Sequence, residues 1–250
     1  MRYKLFFILP SLLMLDATCK KNEDGRNNLI LEATFEGNNA LSGWDNDQHC
    51  CDYSLTQSHD KFTEGSSSLR IEVRSTDPQT SKSIRSELVQ KSDEVGTERW
   101  YGFNMFLENW SDDNAGESVF QWHPGNTTGT GTASLWTSGG RYVYERNTGG
   151  PDNEYTDLGP VVSNQWVPWV IHVKWAADNT GIMQVWKNGK LVMDKTGIPT
   201  SPPEGTYFKL GMNKWGWLDQ PSTVTKRVFY YDEVRIGNEK ASYEDVKPGP

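Results

Sequence analysis

Apolar residues recur at every second position through most of the chain, and that period commits it to β-strands. In Leu69-Arg70-Ile71-Glu72-Val73 the apolar side chains share one face. Trp169, Ile171, Val173 and Trp175 align in the same way and leave His172 and Lys174 opposite. Phe208, Leu210 and Met212 form another core face, so Tyr207, Lys209, Gly211 and Asn213 point away from it. Near the end, Val228, Tyr230, Asp232, Val234 and Ile236 alternate with Phe229, Tyr231, Glu233 and Arg235. Met183–Lys187 and Lys190–Met193 flank Asn188-Gly189, the pair that a two-residue hairpin turn prefers. Almost no window carries a sustained helical period, and 23 Gly punctuate the strands. These signals predict an all-β domain of two stacked antiparallel sheets, a sandwich or jelly roll.

The 250 residues suffice for one buried core, and from Leu29 onward no composition break or repeat divides them. One domain is therefore expected over residues 29–250. Ahead of it, Arg2 and Lys4 precede an apolar run, Leu5 to Leu15, that is short for a membrane span and typical of a secretion signal. Leu15-Asp16-Ala17-Thr18-Cys19 resembles a bacterial lipoprotein signal, loosely matched at Asp16 and Thr18, in which Cys19 takes the lipid. Residues 1–18 are then a signal peptide and residues 19–28 a polar tether. The domain is expected at the cell envelope by its lipid anchor, and otherwise secreted or periplasmic. Cys50 and Cys51 are too few for a disulfide framework or a four-ligand zinc site. Adjacent cysteines rarely bridge, so the pair is either two partly buried thiols or one strained bridge.

A net charge of −8 argues against nucleic acid, whose phosphates need a basic footprint. The 11 Trp and 10 Tyr suit stacking on sugar rings. Several strands pair a core face with a polar one: Arg85 with Glu87, Gln121 with His123, Lys209 with Asn213, and Tyr142 and Tyr144 with Arg146. Taken alone, Arg85 and Glu87 are as readily a solvated ion pair. Together these strands describe a sheet face that forms a groove for a polar chain. His49, in the polar segment Asp45–Cys51, is a secondary candidate, while His59 reads as a surface residue and His172 as one on the opposite face.

Arg85-Ser86-Glu87-Leu88, Gln121-Trp122-His123 and Tyr207-Phe208-Lys209-Leu210-Gly211 resemble, in order, the three sheet motifs of jelly-roll polysaccharide lyases. The likeness is to the heparin lyase I and glucuronan lyase type, with alginate lyases more distant. Trp100-Tyr101-Gly102-Phe103, Trp166-Val167-Pro168-Trp169 and Tyr231-Asp232-Glu233-Val234-Arg235 extend it along the domain. The resemblance implies a concanavalin-like jelly roll with a concave groove, and β-elimination on a uronic-acid-containing polysaccharide. Such an enzyme neutralises the uronate carboxylate, removes the proton on carbon 5 and protonates the leaving oxygen on carbon 4. Gln121 and Arg85 take the first task and His123 is the base. Glu87 orients Arg85, and Lys209 meets substrate anions as a point charge. Tyr142, Tyr144, Arg146, Tyr207, Asn213 and His49 complete the expected substrate contacts.

One position departs from that family. Its Tyr four residues after the Lys is here Asn213, which transfers no proton. Tyr142, Tyr144 or Tyr207 replaces it, or His123 makes both transfers, or the protein holds its glycan without cutting it. A retaining glycoside hydrolase needs two carboxylates about 5–5.5 Å apart, usually from Glu-x-Asp-x-x-Glu, a spacing absent here. Related jelly rolls bind a structural Ca²⁺ near their first and last strands, which implies Glu36 and Asp232 as ligands. No organic cofactor is expected, and the protein is expected to be a monomer. The few groove cations, Arg85, Arg146, Lys209 and Lys214, favour a glycan with little or no sulfate.

Overall fold

The computed structural model describes residues 27–125, 131–148 and 151–249, so the signal peptide, Cys19 and nearly all of the tether lie outside the described residues. The period-two segments form strands, and these divide between two sheets. The first sheet contains β1 (Leu29–Ala33), β3 (Leu55–Ser58), β4 (Ser68–Arg74), β6 (Glu98–Glu108), β11 (Trp166–Lys174), β12 (Gly181–Lys187), β13 (Lys190–Ile198) and β15 (Lys226–Gly237). The second contains β2 (Asn46–Gln48), β5 (Arg85–Val89), β7 (Ser118–Pro124), β8 (Ala133–Ser138), β9 (Arg141–Arg146), β10 (Glu154–Pro160) and β14 (Thr206–Asn213). Strand order in the first is β13-β12-β11-β6-β15-β4-β3, with β1 also on β15; in the second it is β10-β9-β8-β7-β14-β5-β2. Neighbours come from distant parts of the chain, as in a jelly roll. Among the described residues no helix is long and apolar enough to cross a membrane.

The expected core faces meet between the sheets. Trp169, Ile171, Val173 and Trp175 from one sheet and Phe208, Leu210 and Met212 from the other are all buried. Trp122 of β7 packs edge-on against Tyr101 of β6 and against Trp175. Each such large side chain contributes roughly 1.5–3 kcal/mol by leaving water. The Tyr231 hydroxyl, on β15, donates to the Val119 carbonyl of β7 and ties the layers together.

Two strands depart from the expected facing. In β15, Glu233 adopts φ +53° and pairing with β6 slips between Asp232 and Arg235. This bulge exchanges the faces of the strand: Phe229, Tyr231, Val234 and Ile236 enter the core, while Val228 and Tyr230 pack outside with Phe106 and Trp166. In β9, Tyr142 and Tyr144 point inward, Tyr142 edge-on to Trp169. Arg146 shares their face at the strand end, with Nη2 2.5 Å from Glu154 and Nη1 donating to the Pro199 carbonyl at 2.9 Å. None of the three faces the groove expected for it. Two Tyr rings bury more apolar area than Val143 and Glu145, so the register that seats the tyrosines in the core wins. Cys50 and Cys51 are joined as a disulfide just after β2, where the chain crosses between sheets.

Candidate active site

Residues directly opposed in a ladder share a face, and the pairings of the second sheet assemble one polar surface. Gln48 lies opposite Glu87, Asn213 opposite Arg85, and Lys209 opposite Gln121. Tyr207 lies opposite His123, Ser134 opposite Gln121, Glu145 opposite Ser134, and Tyr155 opposite Glu145. Over this surface runs a cavity of about 360 Å³ whose walls include Arg85, Gln121, His123, Trp136, Glu145 and Trp215. A larger cavity of about 550 Å³ lies by Trp44, Asp93 and Arg99. Asp45 and Lys91 also line it, and Asp93 and Arg99 pair with each other at 2.7 Å.

Glu87 is the hub of the surface. It is 0% exposed, and Lys209 beside it is 1% exposed. Lys209 Nζ stands 2.7 Å and Arg85 Nη1 3.1 Å from Glu87 Oε2, and Gln121 Nε2 donates to Oε1 at 2.5 Å. Lys209 and Arg85 also donate to Gln48 Oε1, at 2.8 and 3.3 Å. Burial pushes the Glu87 carboxyl up, but Lys209, Arg85 and the hydrogen bonds outweigh it and hold the group below its ordinary value. Burial lowers the Lys209 ammonium, and Glu87 offsets part of that. Glu87, expected to orient Arg85 and counted among the substrate contacts, and Lys209, expected to meet substrate anions, both lie beneath the groove floor. A carboxylate at that depth requires cations, and the pair satisfies itself.

His123 and Tyr207 stand side by side on the face, ring centroids 5.4 Å apart. Burial lowers the His123 imidazole below its ordinary value, and Lys209 and Arg85 lower it further. With Nδ1 donating to the Pro124 carbonyl at 3.3 Å, Nε2 keeps its lone pair. Burial raises the Tyr207 phenol, and the charge of Glu87 adds to this, so it holds its proton. Asn213 lines the groove, its Oδ1 accepting from the Ser83 hydroxyl.

The far half of the groove carries residues that sequence reasoning missed. Trp136 packs 4.8 Å from Trp215 and 6.0 Å from Tyr155. Its Nε1 donates to Ser134 Oγ at 2.5 Å, and Ser134 donates to Glu145 Oε2 at 3.1 Å. Ser134 and Trp136 alternate with Ala133 and Leu135, a signal present in the sequence. It is weak because aromatic residues stand on both faces of these strands. Lys214, expected as a groove cation, is fully buried against Asp113 and Glu117, at 2.8 Å each. Arg146 is likewise spent on Glu154, so the groove keeps fewer cations than expected.

The remaining histidines lie apart from this constellation. His49 sits 3.4 Å from Asp47 and 3.2 Å from the Cys51 carbonyl, and is not part of the cavity wall. His59 holds the Ser66 carbonyl at 2.8 Å. On the first sheet, His172 stacks on Trp100 at 4.0 Å and meets Glu98 at 2.7 Å.

Glu36, three residues past β1, and Asp232 both face the Thr63–Ser67 loop. Asp232 Oδ2 accepts from the Thr63 amide and hydroxyl at 2.7 and 2.8 Å. Glu36 accepts from the Ser66 and Ser67 amides at 2.8 Å each and from the Ser66 hydroxyl at 2.7 Å. The Ser66 amide leads the bonds that hold the Glu36 carboxyl down at about 2. Burial raises the Asp232 carboxyl, and what opposes it are amides and a hydroxyl, none a cation. Two carboxylates and two hydroxyls around one loop form an all-oxygen set, which fits a hard cation in donor type.

The chain is similar to several solved polysaccharide lyases. With endo-β-1,4-glucuronan lyase from the fungus Trichoderma reesei the TM-score is 0.71 at 22% identity, covering 83% of this chain and 95% of that one. With an alginate lyase from Pseudomonas aeruginosa it is 0.51 at 19% identity, covering 73% and 87%. With an alginate lyase solved in complex with an alginate trisaccharide it is 0.55 at 15% identity, covering 85% and 98%. Among curated protein sequences none matches the chain. These likenesses establish the jelly-roll fold. Residues 36–235 match the family model described as polysaccharide lyase, a span that begins just after β1 and ends within β15. The chain belongs to the polysaccharide lyase family.

Proposed function

We propose that this lyase cleaves a uronic-acid-containing polysaccharide by β-elimination, with Arg85 and Gln121 at the uronate carboxylate, His123 as base and Tyr207 as acid. The observation that carries this reading is the buried Glu87, which aims Arg85 and Gln121 from below at the face where His123 and Tyr207 stand. Guanidinium and amide donors stabilise the charge that develops on the carboxylate as carbon 5 loses its proton. His123 Nε2 takes that proton, and its lowered pKa keeps it neutral for the task. The electron pair closes the double bond between carbons 4 and 5, the bond from carbon 4 to the glycosidic oxygen breaks, and Tyr207 protonates that oxygen. Tyr142 and Tyr144, buried in the core, are out of reach. The names of the similar structures, a glucuronan lyase and alginate lyases, support a uronate as the sugar that is cleaved.

Ultraviolet absorbance of the unsaturated uronate tests the reading on a panel of uronate polysaccharides. A rise with one glycan is expected, and His123→Ala or Tyr207→Phe is expected to lower kcat by about 10²–10⁴-fold. Full activity in Tyr207→Phe would pass both transfers to His123. Tight binding with no rise on any glycan would favour a second reading, a non-catalytic glycan holder, for which Asn213 is the supporting observation.

Two further parts belong to this proposal. Glu36 and Asp232, with the Thr63 and Ser66 hydroxyls, would hold a structural Ca²⁺ that pins the Thr63–Ser67 loop to β15. The leader of residues 1–18 and Cys19 support an exported, lipid-anchored enzyme. Incorporation of a clickable palmitate analogue, lost in Cys19→Ala, tests the anchor.

A further inference from the structure

The groove is electrically two-ended. Its cationic end is Arg85 on β5, with Lys209 of β14 beneath it. Its other end, on β8, β9 and β10, is acidic and aromatic. There Glu145 accepts from the Ser134 hydroxyl at 3.1 Å, the Asn153 amide at 2.6 Å and the Tyr155 phenol at 3.3 Å. All three donors are neutral. Arg141 and Arg146, on the same strand, are spent on Asp157 and Glu154. Trp136 stands over this end with its indole held by Ser134, and Tyr155 is 57% exposed beside it. Two strand spacings separate Gln121 on β7 from Glu145 on β9, about 10 Å, which places Glu145 against a neighbouring sugar and not against the uronate being cleaved.

A second uronate at that position would set its carboxylate against Glu145 in a partly desolvated groove where no cation among the described residues stands between them, an arrangement that repels. A neutral sugar fits it instead. Its hydroxyls donate to the Glu145 carboxylate, and its apolar ring face stacks on Trp136 and Tyr155. We propose that Glu145, Trp136 and Tyr155 form a subsite for an uncharged sugar, so that the substrate is a heteroglycan in which the cleaved uronate has a neutral neighbour. This inference rests on the elimination reading above and names the substrate class for it.

The test compares polyglucuronate, polymannuronate and a glycan that alternates glucuronate with a neutral hexose. The alternating glycan is expected to show a kcat/KM about tenfold or more above the homopolymers. Glu145→Lys is expected to invert that preference, and Glu145→Gln to narrow it. Tyr155→Ala, at an exposed ring, is expected to raise KM for the alternating glycan with kcat nearly unchanged. Homopolymers cleaved as well as the alternating glycan, with the ratio unmoved in Glu145→Lys, would overturn the subsite. Absence of unsaturated product from every glycan would sink the elimination reading alone. Calorimetric affinities for the same three glycans then decide the subsite: preference for the alternating chain, inverted by Glu145→Lys, supports it, and equal affinities overturn it.

Discussion

Glu87 receives Lys209, Arg85 and Gln121 at once, so a change there acts on several side chains together. Glu87→Gln leaves two cations in the floor without their charge partner, and is expected to cost about 3–5 kcal/mol in denaturant unfolding. The folded carboxyl lies below its ordinary 4.5, so its stabilisation is present above that pH and is lost as pH falls through the folded value. Wild-type unfolding free energy should therefore decline below pH 4.5 more steeply than that of Glu87→Gln. His123 gives a second pH signature. As a base it works unprotonated, and its pKa lies below 6.5, so the acid limb of kcat/KM should fall below that pH. An acid limb that persists unchanged in His123→Gln would remove His123 as the base. Gln121 and His123 were legible because they alternate with Phe120, Trp122 and Pro124, and Arg85 because Ile84 and Leu88 frame its strand. Tyr142 and Tyr144 were not, because a tyrosine suits a core as well as a groove.

Strands position these residues, and two glycines show how closely. Gly211 of β14 has φ +136°, and a Cβ there would stand 2.2 Å from the Ser86 carbonyl oxygen and 2.8 Å from Glu87 Cα. Both obstacles are backbone of β5, so Gly211→Ala forces the central strands of the site apart. Loss of turnover together with a fall of several degrees in Tm is expected, read by thermal unfolding. At Gly116 the obstacle is different: a Cβ would strike the Trp215 ring at 2.6 Å. Gly116→Ala should displace that indole from the groove wall, raising KM severalfold with kcat little changed. The bulge in β15 had no clear sequence signal, since Val228 to Ile236 alternate without a break. Only pairing with β6 reveals the slip, because a bulge is a property of two strands and not of one.

At the scale of the molecule, long-range clasps tie distant parts of the chain together within each sheet. Thr63 reaches Asp232 across 169 residues, and Lys209 reaches Gln48 across 161. If Ca²⁺ occupies the first of these clasps, chelation should lower Tm by several degrees and added Ca²⁺ restore it. No shift would mean that the loop amides and hydroxyls suffice alone. The sequence by itself determined that this chain is a two-sheet β-protein, that its strands have one apolar and one polar face, and that three motifs lie in lyase order. Those are local properties, written in a period of two and in nearest neighbours. Only the tertiary structure decided which face of β9 turns inward, and that Lys214, Arg146 and Lys209 are buried in ion pairs instead of lining the groove. A period of two is unchanged when its faces are exchanged, and whether a charge is free depends on partners that folding brings from far along the chain.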